Sequence, residues 1–213
     1  MRSRLLLVPR LAFAGLAVAA IAVQLRHGAS RPDFRPANFF SFFTIQANLF
    51  AIVTLTVAGL VGVRPRSARL EAVRGASTLY MAITGVVFAL LLSDIQEDLQ
   101  LTLPWVDTVL HRLMPIVLVL DWLVDPPRYR LLRRTIATWL VYPVVWGAYT
   151  LVRGPIADWY PYPFIDVRRH GYDGVAITAA VLLVGFAVAS ALVWLLGRRR
   201  GPTEDGPLAS ASG

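Results

Sequence analysis

The chain contains neither cysteine nor lysine among its 213 residues. Without cysteine, disulfides, thiolate nucleophiles and cysteine-bound metal or iron–sulfur sites are excluded. The formal charge of +8 comes from arginines that flank apolar runs instead of forming one basic face, so it does not indicate a nucleic-acid partner. The glycine-flanked serine elbow, the HExxH zinc motif and the phosphate-binding glycine loop are also missing. No metal site and no cofactor are therefore expected.

Charged residues are scarce as well, at 16% of the chain against 56% hydrophobic residues, and the mean hydropathy is +0.59. This composition is typical of a polytopic membrane protein, for which lipid is the solvent. Apolar stretches long enough to cross a hydrocarbon core of about 30 Å recur six times. The predicted fold is an all-α transmembrane bundle, a single domain over residues 1–200, followed by a disordered tail over 201–213. The predicted spans cover about residues 5–25, 39–63, 75–93, 105–124, 135–152 and 174–197.

The first stretch has two interpretations. Its basic start and its small-residue end, at residues 17–20, resemble a signal peptide, whereas the five later spans favour a retained first helix. Arginines concentrate in the loops that lie on the same side as the N-terminus, Arg10, Arg66 and Arg74 among them. Because cationic loops stay inside, both termini are predicted to be cytoplasmic.

The second and fourth stretches are unusually polar. Ser41, Thr44 and Asn48 fall on one helical face of the second stretch, and Gln46 points to the other side. The fourth stretch carries four ionisable residues. Both stretches run inward from the outer surface in the predicted orientation, so the polar groups near their starts lie at equal depth. We expect these two stretches to pair. The ionisable residues of the fourth stretch are Asp107, His111, Arg112 and Asp121.

His111 is the strongest candidate for a functional group, because a histidine within a membrane normally faces a cavity or a polar partner. Asp107, four residues earlier, could orient its imidazole. Pro115, four residues later, leaves the carbonyl of His111 without its usual helical donor, which indicates either a cavity or a packing kink. Thr44 also has a purely structural interpretation, in which its hydroxyl bonds the carbonyl four residues earlier.

Two further charges and one loop have alternative interpretations. Arg112 could extend to the lipid headgroups or hold an anionic substrate headgroup. Asp121 is predicted to pair with an arginine of the 128–134 loop. The loop over residues 153–173, rich in aromatic residues and proline, is predicted to be an interfacial aromatic belt, stiff enough to act as a lid.

Three segments carry a family resemblance: FFTIQANL around Thr44, VLHRLMPIVLVLDWL around His111, and RG followed by YPYPFIDV before the last span. Over about residues 11–196 the chain resembles the androgen-induced and androgen-dependent six-span membrane proteins and their bacterial relatives. The resemblance implies a hydrolase of fatty acid esters of hydroxy fatty acids, with Thr44 as nucleophile and His111 as base. Gln46, Asn48 and Asp121 look more like the bacterial branch, which implies a bacterial plasma membrane.

The implied chemistry agrees with the residues. A threonine hydroxyl attacks only when a base removes its proton, and histidine is the natural base near neutral pH. Asn48, one turn below Thr44, could donate its amide to the developing oxyanion. Membrane lipids would be both the solvent and the substrate, and the sequence does not fix an oligomeric state.

Two other functions fit the same residues. In the first, His111, Asp107 and Asp121 form a relay in a small-solute or proton transporter, although the two halves of the chain show no internal repeat. In the second, the protein is a noncatalytic membrane partner or assembly factor.

Overall fold

The computed structural model describes residues 5–62, 66–93, 103–129 and 131–198, and within these ranges every regular element is helical. Five helices are long and apolar enough to cross a membrane, which confirms the all-α fold and indicates a membrane protein. The tail at 201–213 lies outside the described residues, as does nearly all of the loop at 94–104. The five helices are Leu7–Ala29, Phe43–Val61, Ala68–Leu92, Arg134–Ala157 and Val167–Gly197.

We number the α-helices in chain order and name the two π-helical turns separately. The first half comprises α1 (Leu7–Ala29), α2 (Pro36–Ser41), α3 (Phe43–Val61), α4 (Ala68–Val87) and the turn π1 (Phe88–Leu92). The second half comprises α5 (Pro104–Asp107), the turn π2 (Thr108–Leu113), α6 (Met114–Val124), α7 (Arg134–Ala157), a short 3-10 turn (Pro163–Ile165) and α8 (Val167–Arg198). Gly171, with φ of 66°, interrupts the start of α8 with a kink.

The second polar stretch is not one helix. Phe42 has an extended backbone, with φ of −64° and ψ of 128°, so α2 ends at Ser41 and α3 begins at Phe43. The carbonyl of Ser41, left over by this break, accepts a hydrogen bond of 3.0 Å from the indole of Trp146. The predicted helical face shared by Ser41, Thr44 and Asn48 is therefore wrong for Ser41, and Thr44 lies in the first turn of a new helix.

The fourth polar stretch is helical from Pro104 to Val124, although it passes through α5, π2 and α6. The residues at both junctions keep right-handed helical dihedrals. The amide of Met114 donates to the carbonyl of Val109, five residues earlier, which is the π-helical pattern. A wider turn thus lies in the middle of an otherwise continuous segment.

Indole groups tie the helices together. In lipid no water satisfies a buried N–H group, so an interior tryptophan needs a protein acceptor. Trp122 donates to the carbonyl of Val193 in α8, and Trp139 donates to that of Ala72 in α4. Large apolar side chains cover the outside of the bundle, where Ile156 is 81% exposed, as expected of a surface that faces lipid.

Six buried or nearly buried charges form one network where α1, α4 and α6 meet. Arg10 contacts Asp121 at 2.7 Å and Asp125 at 2.7 Å. Arg74 contacts Asp121 at 2.8 Å, and its guanidinium also reaches Glu71. Arg66 completes the set by pairing with Glu71 and with Asp125. Three arginines face three carboxylates, so the network is neutral.

This network corrects two predictions. Asp121 pairs with Arg10 and Arg74 instead of the 128–134 loop, because α6 ends beside α1 and the start of α4. Arg10, Arg66 and Arg74 are at most 2% exposed, so they have a structural role besides any topogenic one. Although burial alone would raise it, hydrogen bonds from Arg66 and Arg10 hold the pKa of Asp125 below its ordinary value of 3.8.

Candidate active site

Thr44 lies at the N-terminus of α3, buried to 6% exposure. Its backbone N–H donates to the phenolic oxygen of Tyr162 over 3.2 Å, and the two hydroxyls are 3.3 Å apart. Amides in the first turn of a helix have no partner within that helix, and the helix dipole gives this end a partial positive charge. The phenolic oxygen of Tyr162 therefore already occupies the position to which the amide and the hydroxyl of Thr44 point.

The partner of Thr44 distinguishes it from other threonines of the bundle. Because Phe42 breaks the helix, the first turn of α3 does not continue α2, and the carbonyl of Phe40 accepts from the side chain of Gln46. Thr44 makes its hydroxyl contact with a side chain from a distant loop instead. Six other threonines donate to the carbonyl four residues earlier, the common arrangement for helical threonine: Thr54, Thr78, Thr84, Thr108, Thr150 and Thr178.

A small cavity of about 40 Å³ adjoins Thr44. Its walls are mainly apolar and aromatic, and they include Trp146, Tyr162 and Phe186. Thr84 brings a second hydroxyl to the wall, but that hydroxyl donates to the carbonyl of Tyr80 at 2.9 Å. Of the two threonine hydroxyls in this lining, that of Thr44 contacts the phenol of Tyr162 and not a backbone carbonyl.

Asn48 connects α3 to π2. Its side-chain nitrogen donates to the carbonyl of Thr44 at 2.9 Å and to that of Leu110 at 3.2 Å. In the π-helical register the donor to Leu110 would be the nitrogen of Pro115, which carries no hydrogen. The proline therefore leaves the carbonyl of Leu110 without a helical donor in this register, and the side chain of Asn48 donates to it instead.

Both amide hydrogens of Asn48 are engaged by these two carbonyls. In this conformation the side chain has no N–H left for an oxyanion, and it acts instead as a clamp between two helices. The predicted pairing of the second and fourth stretches occurs at this clamp.

His111 lies in π2 and is buried, next to Asp107. Its Nδ1 is 2.9 Å from Oδ1 of Asp107, which matches the predicted spacing, but neither atom makes an aligned hydrogen bond. The contact is thus one of proximity. The imidazole stacks on Phe88, with ring centres 4.5 Å apart and planes inclined by 19°. The guanidinium of Arg112 lies 5.5 Å from the centre of the Phe88 ring.

A second cavity, of about 590 Å³, is lined by His111 and Arg112 together with apolar residues of α4, π1 and α6. Thr44 does not line it, and His111 does not line the small cavity. Within the ranges that the structure describes, no hydrogen bond joins the two side chains. The two predicted catalytic residues therefore belong to neighbouring helices that touch through Asn48, but to separate cavities.

Both π-helical turns lie at this end of the bundle. Phe88 is the first residue of π1 and His111 lies within π2, so their stacked rings connect the two π-helical turns. Turns of this type occur often at functional sites. α4 and α6 approach closely here, since a Cβ added to Gly85 would be 2.9 Å from Pro115.

Tyr162 is the site residue that sequence reasoning did not single out. The sequence predicts that its loop is an interfacial aromatic belt, whereas Tyr160 and Tyr162 are each only 8% exposed. Burial raises the pKa of Tyr162, an effect that hydrogen bonds from Thr44 partly offset, so its phenol stays protonated. The available signal was a tyrosine between two prolines, which fix the path of the backbone on either side of it.

The fold and the site define a helical membrane protein with a polar cluster at one end of its bundle. Comparison with protein-family models, curated proteins and solved structures gives no match.

Proposed function

We propose that this protein is a membrane-embedded hydrolase of lipid acyl esters, with Thr44 as its nucleophile. The contact between Thr44 and Tyr162 carries the proposal. A hydroxyl at a helix N-terminus, aimed at a side chain instead of a backbone carbonyl, is available to react, and the apolar walls around it suit an acyl ester. The mainly apolar lining of the small cavity lowers the local polarity, which strengthens electrostatic interactions with the ester.

The chemistry follows from the groups around Thr44. Its hydroxyl oxygen attacks the ester carbonyl carbon while its proton passes to a base, and the carbonyl oxygen becomes an oxyanion. The amide of Thr44, at the positive end of α3, donates to that oxyanion, and so does the phenol of Tyr162. The tetrahedral intermediate expels the alcohol, which takes the proton from the base. Water then cleaves the acyl-threonine to a fatty acid and restores the hydroxyl.

His111 is the base in this proposal, Asp107 orients it, and Arg112 holds an anionic headgroup in the larger cavity. The imidazole stacks on Phe88 and lines the cavity that Thr44 does not reach. With His111 as the base, our proposal makes the conformation described a resting state, and it requires Phe88 to release the imidazole toward Thr44. Asn48 keeps α3 and π2 together during this change, so we assign it a positioning role.

The proposal includes the finer topology. The segment from Pro104 to Val124 also crosses the membrane and brings the number of spans to six. It is about as long as the bilayer core requires, and it continues as helix through π2. Both termini lie in the cytoplasm, and the membrane is the bacterial plasma membrane. We further propose membership of the androgen-induced and androgen-dependent six-span family, on the three segments that resemble it.

A fluorophosphonate probe tests the nucleophile, since it imitates the ester carbonyl and reacts only with an activated hydroxyl. We expect one labelled site, lost in Thr44→Ala, retained in Thr44→Ser and strongly weakened in His111→Ala. Thr84→Ala is the matched control, because Thr84 lines the same cavity but donates to a backbone carbonyl. An adduct at another residue, or ester cleavage by folded Thr44→Ala protein, would refute the assignment.

The transporter alternative requires Asp121 to exchange protons with His111. Arg10 and Arg74 occupy the carboxylate oxygens of Asp121, so this residue does not serve as a relay in the conformation described. The noncatalytic alternative predicts no labelling at Thr44 and no ester cleavage, so the same probe distinguishes it from the hydrolase.

A further inference from the structure

A third cavity, of about 320 Å³, lies between α7 and α8. Pro143, Gly147 and Leu151 line it from α7, and Val175, Ala179 and Leu183 line it from α8. Leu183 is 44% exposed and Val144, also in the lining, is 52% exposed, so the cavity opens toward the lipid-facing surface. It is thus an interior space that hydrocarbon can enter from the membrane.

This cavity adjoins the one at Thr44. Trp146, Leu182 and Phe186 line both, so the two spaces share a wall. Hydrogen bonding to the carbonyl of Ser41 fixes Trp146, and Phe186 packs edge-on against Phe43. Leu182 is an aliphatic and partly exposed member of this wall, which makes it the part that can turn aside for a chain.

The lining offers no polar recognition. Its two side chains with hydrogen-bond donors are Trp146 and Thr150. The indole donates to the carbonyl of Ser41, and the hydroxyl donates to the carbonyl of Trp146 at 2.8 Å. A sugar, phosphate or peptide would lose its hydration here without replacement, whereas hydrocarbon loses nothing. The chemistry of the site therefore selects an alkyl chain.

We propose that this cavity binds the acyl chain of the ester whose carbonyl reacts at Thr44. The inference rests on the proposed function and adds where the chain lies, and hence which residues set chain-length preference. The chain enters between α7 and α8, passes Leu182 and brings its ester carbonyl to the N-terminus of α3.

Two glycines allow a matched test. A Cβ added to Gly147, in the cavity lining, or to Gly185, outside it, would meet no atom within 4 Å. The first carbon of a side chain therefore fits at either position without displacing a neighbour, and replacement by leucine raises helix propensity alike at both. Gly147→Leu fills the cavity, and Gly185→Leu adds the same group on an exposed face of α8.

The first measurement is labelling by fluorophosphonates with a short and a long alkyl chain. We expect Gly147→Leu to lower the ratio of long-chain to short-chain labelling at least tenfold, and Gly185→Leu to leave that ratio within twofold of wild type. An unchanged ratio in Gly147→Leu, or an equal change in both variants, would overturn the proposal.

The second measurement separates this proposal from the first. A fatty acid with a photoreactive diazirine near its chain end should crosslink to residues 143–151 and 175–186 in wild type and in Thr44→Ala, and much less in Gly147→Leu. If no fluorophosphonate labels Thr44, the hydrolase fails, and this crosslinking alone decides the chain site. Crosslinks elsewhere, or unaffected by Gly147→Leu, would reject the acyl-chain site even if Thr44 is the nucleophile.

Discussion

The phenolic oxygen of Tyr162 lies 3.2 Å from the backbone nitrogen of Thr44 and 3.3 Å from its hydroxyl oxygen, although 118 residues separate the two in sequence. The loop before α8 is thereby fixed to the first turn of α3. Phe42 packs edge-on against the same tyrosine ring, with centres 5.6 Å apart, so the break between α2 and α3 and the loop support each other.

Replacing Tyr162 by phenylalanine removes this hydroxyl and keeps the ring. We expect labelling at Thr44 to fall by roughly 10²-fold or more, since one oxyanion donor is lost. The buried amide of Thr44 also loses its acceptor, which should cost about 1–3 kcal/mol of folding free energy. Tyr149→Phe is the control, because its hydroxyl contacts Ser41 and its side chain is 43% exposed. Equal labelling by both variants would exclude Tyr162 from the reaction.

The clamp at Asn48 predicts a coupling between two substitutions. Asn48→Leu leaves the carbonyl of Leu110 unpaired and should destabilise the protein by about 1–3 kcal/mol. Pro115→Ala restores an N–H in the register of that carbonyl, so the double variant should be more stable than the sum of the single effects predicts. Thermal unfolding in detergent measures the cycle. Strict additivity would show that Asn48 does not substitute for the missing amide of Pro115.

The buried charge network predicts a large effect for Asp125→Asn. This change leaves Arg10 and Arg66 with an incomplete set of partners, and breaking a buried pair costs about 3–5 kcal/mol. Asp33→Asn is the matched change in an exposed pair, since Asp33 lies 3.8 Å from Arg31 and is 80% exposed. There the expected cost is below about 1 kcal/mol. Similar losses of stability in the two variants would contradict the burial of the network.

Acid should destabilise the protein through the same carboxylate. The pKa of Asp125 is lower in the folded protein than its ordinary value of 3.8, so the unfolded chain binds its proton more readily. Its contribution to stability is complete above that value and is lost as the pH falls below about 4. Unfolding measured from pH 7 to pH 3 should show this loss in wild type and a smaller one in Asp125→Asn. Identical slopes would contradict the assignment.

Reporter fusions test the proposed topology. A reporter in the loop at 94–104 should be outside and one at Gly201 should be inside, because arginines concentrate on the side of the N-terminus. Arg10, Arg66 and Arg74 belong to the buried network, so replacing Arg69 is the cleaner way to weaken the topogenic signal, and Arg69 is exposed. A periplasmic reporter at Gly201 would reverse the orientation.

Hydropathy predicted the helical class and the approximate position of five membrane-length helices because lipid demands long apolar segments. It did not predict the break at Phe42. There the indole of Trp146, on α7, donates to the carbonyl of Ser41, and hydropathy does not report such contacts between distant helices. The spacing of Asp107 and His111 predicted their proximity, because residues four apart share a helical face. It did not indicate the π-helical turn, and therefore did not point to the carbonyl of Leu110, which accepts from Asn48.

The polar partners across long sequence distances were not predictable by pattern. Several arginines were possible partners of Asp121 on sequence grounds. The packing of α1 beside α6 selects Arg10. Tyr162 resembled an interfacial aromatic because composition does not distinguish a ring at the headgroups from a ring packed on a helix N-terminus. In both cases the deciding fact is which helices are neighbours, and helix–helix packing in lipid depends on shape more than on hydrophobicity.

The charge network also orders events during synthesis. Arg10 is made 111 residues before Asp121, and at about 5–20 residues per second the ribosome needs several seconds or more to produce its partner. Throughout that interval the guanidinium of Arg10 lacks both of its partners, Asp121 and Asp125. The contacts through which Arg10 holds α1 against the end of α6 therefore form only after the last turn of α6 has been translated, when more than half of the chain exists.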